Sequence, residues 1–255
     1  MRIGIAGILG RVGRLLVEEV VAADAGLAGG SSRDGAGEAP GGVPLFDGVA
    51  ALAGRSDVVI DFTHADVTAL HAGLLAQAGV AWVLGTTGLS AEAQKAVEDA
   101  AQRIVVVQAS NFSPGVTLVA DLARRMAAVL PAELYDAEIL EMHHRQKVDA
   151  PSGTALALGR AVAEARGVRL DTVRDSGRDG HTGPRPPGAI GFAVLRGGQI
   201  VGEHTLSFTA GSEQIALTHR AFDRRVFAAG AVRAALWTQG RPPGLYDMEN
   251  VLGLR

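Results

Sequence analysis

Short apolar runs that alternate with alanine-rich stretches of helical length constrain this chain more than any other feature. Residues 2–6 (RIGIA), 57–62 (DVVIDF), 81–84 (AWVL) and 103–108 (RIVVVQ) are rich in β-branched side chains and too short for helices. Strands that are apolar on both faces need cover on both sides, which crossover helices supply. Residues 11–23, 65–78 and 91–101 are helix-compatible and fall between those runs, the last preceded by Ser90 as an N-cap. The pattern predicts an α/β domain on a doubly wound parallel sheet. At 255 residues the chain has room for a second domain with its own core.

After Ser113 the texture changes. Residues 136–143 are expected as a strand, and 154–166 as a helix that starts after Pro151-Ser152-Gly153. Glycine, proline and arginine dominate residues 174–196, which predicts a long loop. Residues 199–208 and 214–221 alternate apolar and polar around Ala210-Gly211-Ser212-Glu213, as a hairpin does. The second domain is therefore expected to be antiparallel. A helix over 226–236 with an apolar face is expected to return to the first domain.

Composition excludes several classes of function. The formal charge of −3 gives no broad basic field, so nucleic acid is not an expected partner. With no cysteine, disulfides and thiolate metal sites are ruled out. No apolar run reaches the ~20 residues that span a bilayer, so no membrane partner is expected. The N-terminus enters a strand at once, without the pattern of a secretory signal, and a cytoplasmic enzyme is the expectation.

Gly7-Ile8-Leu9-Gly10-Arg11-Val12-Gly13 sits where the first strand gives way to a helix. Glycines there permit a tight turn and close approach of backbone to a pyrophosphate, whose charge the helix start favours. This points to a Rossmann-type dinucleotide domain. At the end of the second strand, Gly29-Gly30-Ser31-Ser32-Arg33-Asp34 offers small hydroxyl residues and an arginine. A guanidinium favours a 2′-phosphate, so NADPH is preferred over NADH; Asp34 is the alternative ribose partner if the register shifts. Gly85-Thr86-Thr87-Gly88 and Ala109-Ser110-Asn111-Phe112-Ser113 follow two further strands. They occupy the carboxyl edge where open α/β sheets bind ligands.

The densest chemistry lies between Glu141 and Thr154. His143, His144, Arg145 and Lys147 precede a Pro151-Ser152-Gly153-Thr154 helix start. Such a segment suits a small dianion shared between cations and helix-start amides, with histidine able to exchange a proton near neutral pH. Adjacent histidines seldom chelate one ion, and no third ligand stands at a zinc-site spacing, so no metal is expected. His64, His71, His181, His204 and His219 receive no role.

The run Glu141-x-His143-His144-x-x-Lys147-x-Asp149-Ala150-Pro151-Ser152-Gly153-Thr154-Ala155 closely resembles the signature of the dihydrodipicolinate reductase family, also called 4-hydroxy-tetrahydrodipicolinate reductases. The likeness extends over essentially the whole chain, including Gly7 to Gly13, Asp61-Phe62-Thr63, Gly85 to Gly88, Asn111-Phe112-Ser113, Gly183 to Gly191 and Val201 to Thr205. It implies a cytoplasmic homotetramer of lysine and diaminopimelate biosynthesis. Residues 1–113 and 226–255 would bind the dinucleotide, and residues 114–225, a second α+β domain with a mixed, largely antiparallel sheet, would bind substrate and tetramerise. By the same resemblance, His143 is the proton donor and acceptor and Lys147 a second donor. His144, Gly153 and Thr154 would contact a cyclic dicarboxylate, with Arg225 as a further candidate. Gly7, Ile8, Leu9, Gly10, Arg11 and Val12, with Gly85, Thr86, Thr87, Ala109, Ser110, Asn111 and Phe112, would contact NADPH or NADH. Where a relative using both cofactors carries an acidic residue before its arginine, this chain has Ser32. Two other readings keep part of the pattern. Another amino-acid-pathway dehydrogenase would retain the glycine loop but not the histidine run, and a non-catalytic NADP(H)-sensing protein would retain the fold without turnover.

Overall fold

Each buried run of the first half forms a strand, and the order in which the strands pair creates the edge on which a ligand can sit. The computed structural model describes residues 1–33 and 35–255. It divides into two units, Met1–Pro114 with Arg224–Arg255, and Gly115–Asp223. Asp34, the alternative ribose partner, lies outside the described residues.

The first unit begins β1 (Arg2–Ala6), α1 (Arg11–Ala22), β2 (Gly26–Ser31), β3 (Gly37–Ala39), β4 (Val43–Phe46) and α2 (Gly48–Ala53). It continues through β5 (Val58–Asp61), α3 (Ala65–Ala78), β6 (Ala81–Leu84), α4 (Ala91–Ala101) and β7 (Val105–Gln108). All four residues of β5 are buried, as expected of a strand covered on both faces. Ser90 caps α4, its side chain accepting from the Ala93 amide at 3.1 Å.

The second unit carries most of α5 (Pro114–Val129), to which the sequence reading assigns no element, then β8 (Asp136–His143), α6 (Gly153–Ala165) and α7 (Leu170–Val173). β9 (Arg174–Asp175), β10 (Ile190–Arg196), β11 (Gly202–Thr209) and β12 (Gln214–Ala221) complete it. Its sheet runs β12-β11-β8-β10-β9, with β8, β11 and β12 antiparallel and with β10 parallel to β8 and β9. The expected loop over 174–196 is thus corrected: Ile190–Arg196 is a strand in the interior of the sheet. The Gly-Pro-Arg density in front of it hides a run, IGFAVLR, whose apolar content fits a covered strand. One face of this sheet packs Ala137, Ile139, Leu206, Phe208, Ile190 and Phe192 against Leu158 and Val162 of α6.

The chain then re-enters the first unit as α8 (Arg225–Trp237), β13 (Gly244–Tyr246) and α9 (Met248–Leu252). The completed sheet has the order β13-β7-β6-β5-β1-β2-β4-β3, parallel except for β3 against β4. Ala228, Ala231, Val232 and Ala235 of α8 belong to the same core as Ile3, Ile5 and Ile60. A Cβ at Gly230 would come within 1.8 Å of the Phe112 carbonyl oxygen, so only glycine lets α8 approach this closely.

Candidate active site

Successive strands of the first sheet leave β1 in opposite directions, so a crevice opens at the carboxyl ends of β1 and β5. A cleft of about 470 Å³ occupies that position, lined by Gly7, Leu9, Gly10, Ser31, Ser32, Arg33, Gly48, Val49, Phe62, Thr63, His64, Val67 and His71. Gly7 has φ of 75°, and a Cβ at Gly13 would lie 2.3 Å from the Gly7 carbonyl oxygen. Side chains at either position would strain or obstruct the turn. Gly10 caps α1, whose first turn contains no acidic residue, so nothing there repels a phosphate. These features fit a pyrophosphate, and Ser31, Ser32 and Arg33 at the cleft wall fit the adenosine end of a nicotinamide nucleotide.

Of the other expected cofactor residues, Ile8 and Phe112 are buried, Ile8 being in the core against Gly30. Phe112 packs at 5.5 Å against Phe62, which lines the cleft. Gly85 and Thr86 follow β6, and Ala109 to Phe112 follow β7, on the same sheet edge as Gly7. A Cβ at Gly85 would press on the Phe62 ring at 2.3 Å, and Thr86 donates to the Thr63 carbonyl at 3.3 Å. Asp61, which enters the sequence analysis only within the family likeness, and His71, which receives no role there, form a further pair. Asp61 is buried, accepts from the Thr63 amide and hydroxyl at 3.0 and 2.6 Å, and lies 2.7 Å from His71 Nδ1. An acid at the end of a buried strand was the available signal.

In the second unit, Glu141 and His143 are two residues apart on β8 and therefore share a face, with Arg196 of β10 opposite His143 in register. Arg196 grips the Glu141 carboxylate with both terminal nitrogens, at 2.7 Å to Oε2 and 2.8 Å to Oε1. The Ser152 amide donates to Oε1 at 2.9 Å, and His143 Nδ1 lies 2.7 Å from Oε2. Glu141 is fully enclosed, with 0% exposure. Burial is the largest single influence on it and favours the neutral acid, yet hydrogen bonds from Arg196, His143 and Ser152 together hold its pKa below the ordinary carboxylate value. Burial also lowers the pKa of His143; Glu141 opposes that shift, while the charges of Lys147 and Arg196 reinforce it.

His204 of β11 packs edge-on against the His143 ring, with centroids 5.1 Å apart, and its Nε2 lies 3.0 Å from Ser152 Oγ. The same Oγ accepts from the Ala155 amide at 3.2 Å and so caps α6. Burial, followed by the neighbouring His143, lowers the His204 pKa to about 4. Gly153 and Thr154 form the first turn of α6, where backbone amides lie outside the helix ladder and favour an anion. Lys147 pairs with Asp149 at 2.8 Å, and Arg145 and Gln146 point to solvent. The cationic run is therefore divided: His143 faces a buried carboxylate, Lys147 an exposed one, and His144 is half-buried. Arg225 lies in the first unit, on α8 against Glu18 and Glu19 of α1. Neither the pairing of Glu141 with Arg196 nor a place for His204, to which the sequence assigns no role, is displayed by local pattern. The Glu-x-His spacing on a strand could have revealed the acid; the mistaken loop concealed Arg196.

A glycine-turned, doubly wound unit followed by a unit with a buried carboxylate–histidine pair beside a helix start is the arrangement of a nicotinamide-dependent oxidoreductase. Residues 1–112 match the family model described as "Dihydrodipicolinate reductase, N-terminus" and residues 115–252 the one described as "Dihydrodipicolinate reductase, C-terminus". The chain belongs to the dihydrodipicolinate reductase family. It is 67% identical over 254 residues to the 4-hydroxy-tetrahydrodipicolinate reductase of Gluconacetobacter diazotrophicus, covering 100% of this chain and 98% of that one. Identity to the protein of the same name from Granulibacter bethesdensis is 62% over 256 residues, with 100% and 98% covered. Among solved structures, the dipicolinate-bound dihydrodipicolinate reductase from Paenisporosarcina sp. TG-14 superposes with a TM-score of 0.80 at 26% identity, covering 98% of each chain. A probable dehydrogenase from Thermotoga maritima shares the fold, with a TM-score of 0.60 at 13% identity over 98% of this chain and 92% of that one. No helix among the described residues is long and apolar enough to cross a membrane.

Proposed function

We propose that this chain uses NAD(P)H to reduce 4-hydroxy-tetrahydrodipicolinate, also called dihydrodipicolinate, to tetrahydrodipicolinate in lysine and diaminopimelate biosynthesis. The observation that carries this reading is the buried Glu141–His143–Arg196 cluster joined through Ser152 to the start of α6. It sets a proton-exchanging ring next to a helix start suited to carboxylates. Bound nucleotide supplies the hydride. The first unit binds that nucleotide, with Gly7 to Val12 at the pyrophosphate and with Gly85 to Thr87 and Ala109 to Phe112 along the same edge. Arg33, beside Ser31 and Ser32, selects NADPH over NADH through charge-assisted hydrogen bonds to a 2′-phosphate.

The second unit binds substrate and forms the contacts of a cytoplasmic homotetramer. Reduction of a conjugated cyclic imine leaves an electron pair that must take up a proton. His143 supplies it, and Lys147 stabilises the developing negative charge or acts as a second donor. His144 with the amides of Gly153 and Thr154 holds the carboxylates and so fixes the ring for reaction. The deciding assay follows NADPH oxidation by the purified protein with and without the product of dihydrodipicolinate synthase. Oxidation should require that product and be faster with NADPH than with NADH at equal concentration. Turnover that ignores the synthase product would remove the substrate assignment.

A further inference from the structure

Glu141 has four contacts on two oxygens, and their directions carry information about a neighbouring atom. Both Nη atoms of Arg196 and the Ser152 amide can only donate, and they occupy Oε1 and one side of Oε2. A carboxylate held by three such donors remains ionised and accepts only. The remaining contact, from Oε2 to His143 Nδ1 at 2.7 Å, therefore requires a hydrogen on Nδ1. From this geometry we infer that Glu141 is a positioning residue, fixing His143 as the Nδ1–H tautomer so that Nε2 is the atom exchanging the reaction proton. The inference deepens the proposed role of His143 and rests on it.

The surroundings of Nε2 agree with that assignment. A Cβ at Gly202 would stand 3.0 Å from His143 Nε2, so the absent side chain keeps that nitrogen clear. Arg196 also ties the clamp to the following turn, its Nη2 donating to the Asp149 carbonyl at 2.7 Å. Turning the ring by 180° about Cβ–Cγ would replace Nδ1 with the carbon Cδ2 at the carboxylate and lose the hydrogen bond, so the ring orientation is held. In the transfer itself, the Nε2–H bond of the imidazolium breaks, its electron pair stays on Nε2, and the proton joins the electron pair of the reduced substrate. Nδ1–H remains on Glu141 throughout.

The charged and titratable groups facing His143 are Glu141 on its own strand, Arg196 on β10, His204 on β11 and Lys147 in the following turn. Of these only Glu141 favours the imidazolium. Removing its charge should lower the His143 pKa further, so that the imidazolium forms only at more acidic pH.

The test combines ring-nitrogen NMR with kinetics on the full-length protein. In the unliganded wild type above the His143 pKa, 15N-labelled histidine spectra should show Nδ1 protonated and Nε2 bare. In the E141Q variant the His143 signals should move toward the other tautomer or a mixture. Its kcat should fall on the order of 100-fold with KM changed far less, and the limb of the pH profile set by His143 should move to lower pH. The H143Q variant should lose at least as much. An Nε2–H tautomer in the wild type would overturn the inference without any variant, which keeps it testable if E141Q fails to fold. An E141Q enzyme with unchanged kcat and pH profile, beside an H143Q enzyme that has lost activity, would overturn the positioning role alone. Full kcat in H143Q would overturn the proton role of His143 and this inference with it.

Discussion

The cleft of the first unit and the cluster of the second are built from different materials. The cleft is shaped by backbone: a positive-φ glycine, a Cβ-intolerant helix start and the carboxyl ends of parallel strands, with polar side chains at its wall. The cluster is shaped by side chains, with Glu141, His143, Arg196, Ser152 and His204 each fixing a neighbour. A backbone-built site loses binding when a wall residue changes, while the fold hardly responds. A buried side-chain network loses stability and chemistry together, because removing one partner leaves another uncompensated.

The contrast breaks most sharply at Arg196. An Arg196→Met variant keeps much of the apolar stem but strips Glu141 of its paired charge, and unfolding free energy should fall by about 3–5 kcal/mol. Denaturant titration would measure this, and a loss below about 1 kcal/mol would mean that the cluster is no more coupled than an ordinary surface pair.

Acid should separate the two regions next. The folded protein holds His204 at a pKa of about 4, against an ordinary 6.5, so below that ordinary value the unfolded chain binds the extra proton and folding stability declines. His143 contributes in the same direction. The pKa of Glu141 is lowered too, so its contribution is intact above the ordinary value of 4.5 and is lost as pH falls through its folded value. The His204 contribution alone amounts to about 3 kcal/mol lost by pH 4. Unfolding titrations from pH 7 to pH 4 should show the decline, and a His204→Gln variant should flatten it; an equal slope in the variant would remove His204 as its source.

The smallest effect belongs to the cleft. Arg33 is exposed, so Arg33→Ala should leave stability within about 0.5 kcal/mol while weakening NADPH roughly 10- to 100-fold and NADH much less. Titration of cofactor fluorescence would read both affinities. Equal losses for the two nucleotides would place the 2′-phosphate elsewhere.

The elements legible from the chain are those with a strong local period. β1, β6, α3, α4 and β8 fall at the residues their patterns indicate, because each buries a face that its own sequence displays. β3, β4, β9, β13, α2, α7 and α9 are too short to display a period, β10 stands directly behind a Gly-Pro-Arg segment, and α5 went unassigned although Ser113-Pro114 offers a cap and a first-turn proline. In the candidate site, His143, Lys147 and the Ser152 helix start were visible as chemistry-bearing residue types at close spacing. Their working partners were not.

Those partners mark the division between what pattern alone settled and what folding in three dimensions added. Periodicity and glycine placement were sufficient for a doubly wound sheet, and the run from Glu141 to Ala155 for the family to which the chain belongs, because such signals act within a few residues. Arg196 lies 55 positions from Glu141, and His204 lies 52 from Ser152. Only the pairing of β8 with β10 and β11 brings them within hydrogen-bond reach. A residue type states what a side chain can donate or accept, whereas burial and register decide which partner it meets. In this chain that choice turns one histidine of a crowded run into the ring held by a buried carboxylate.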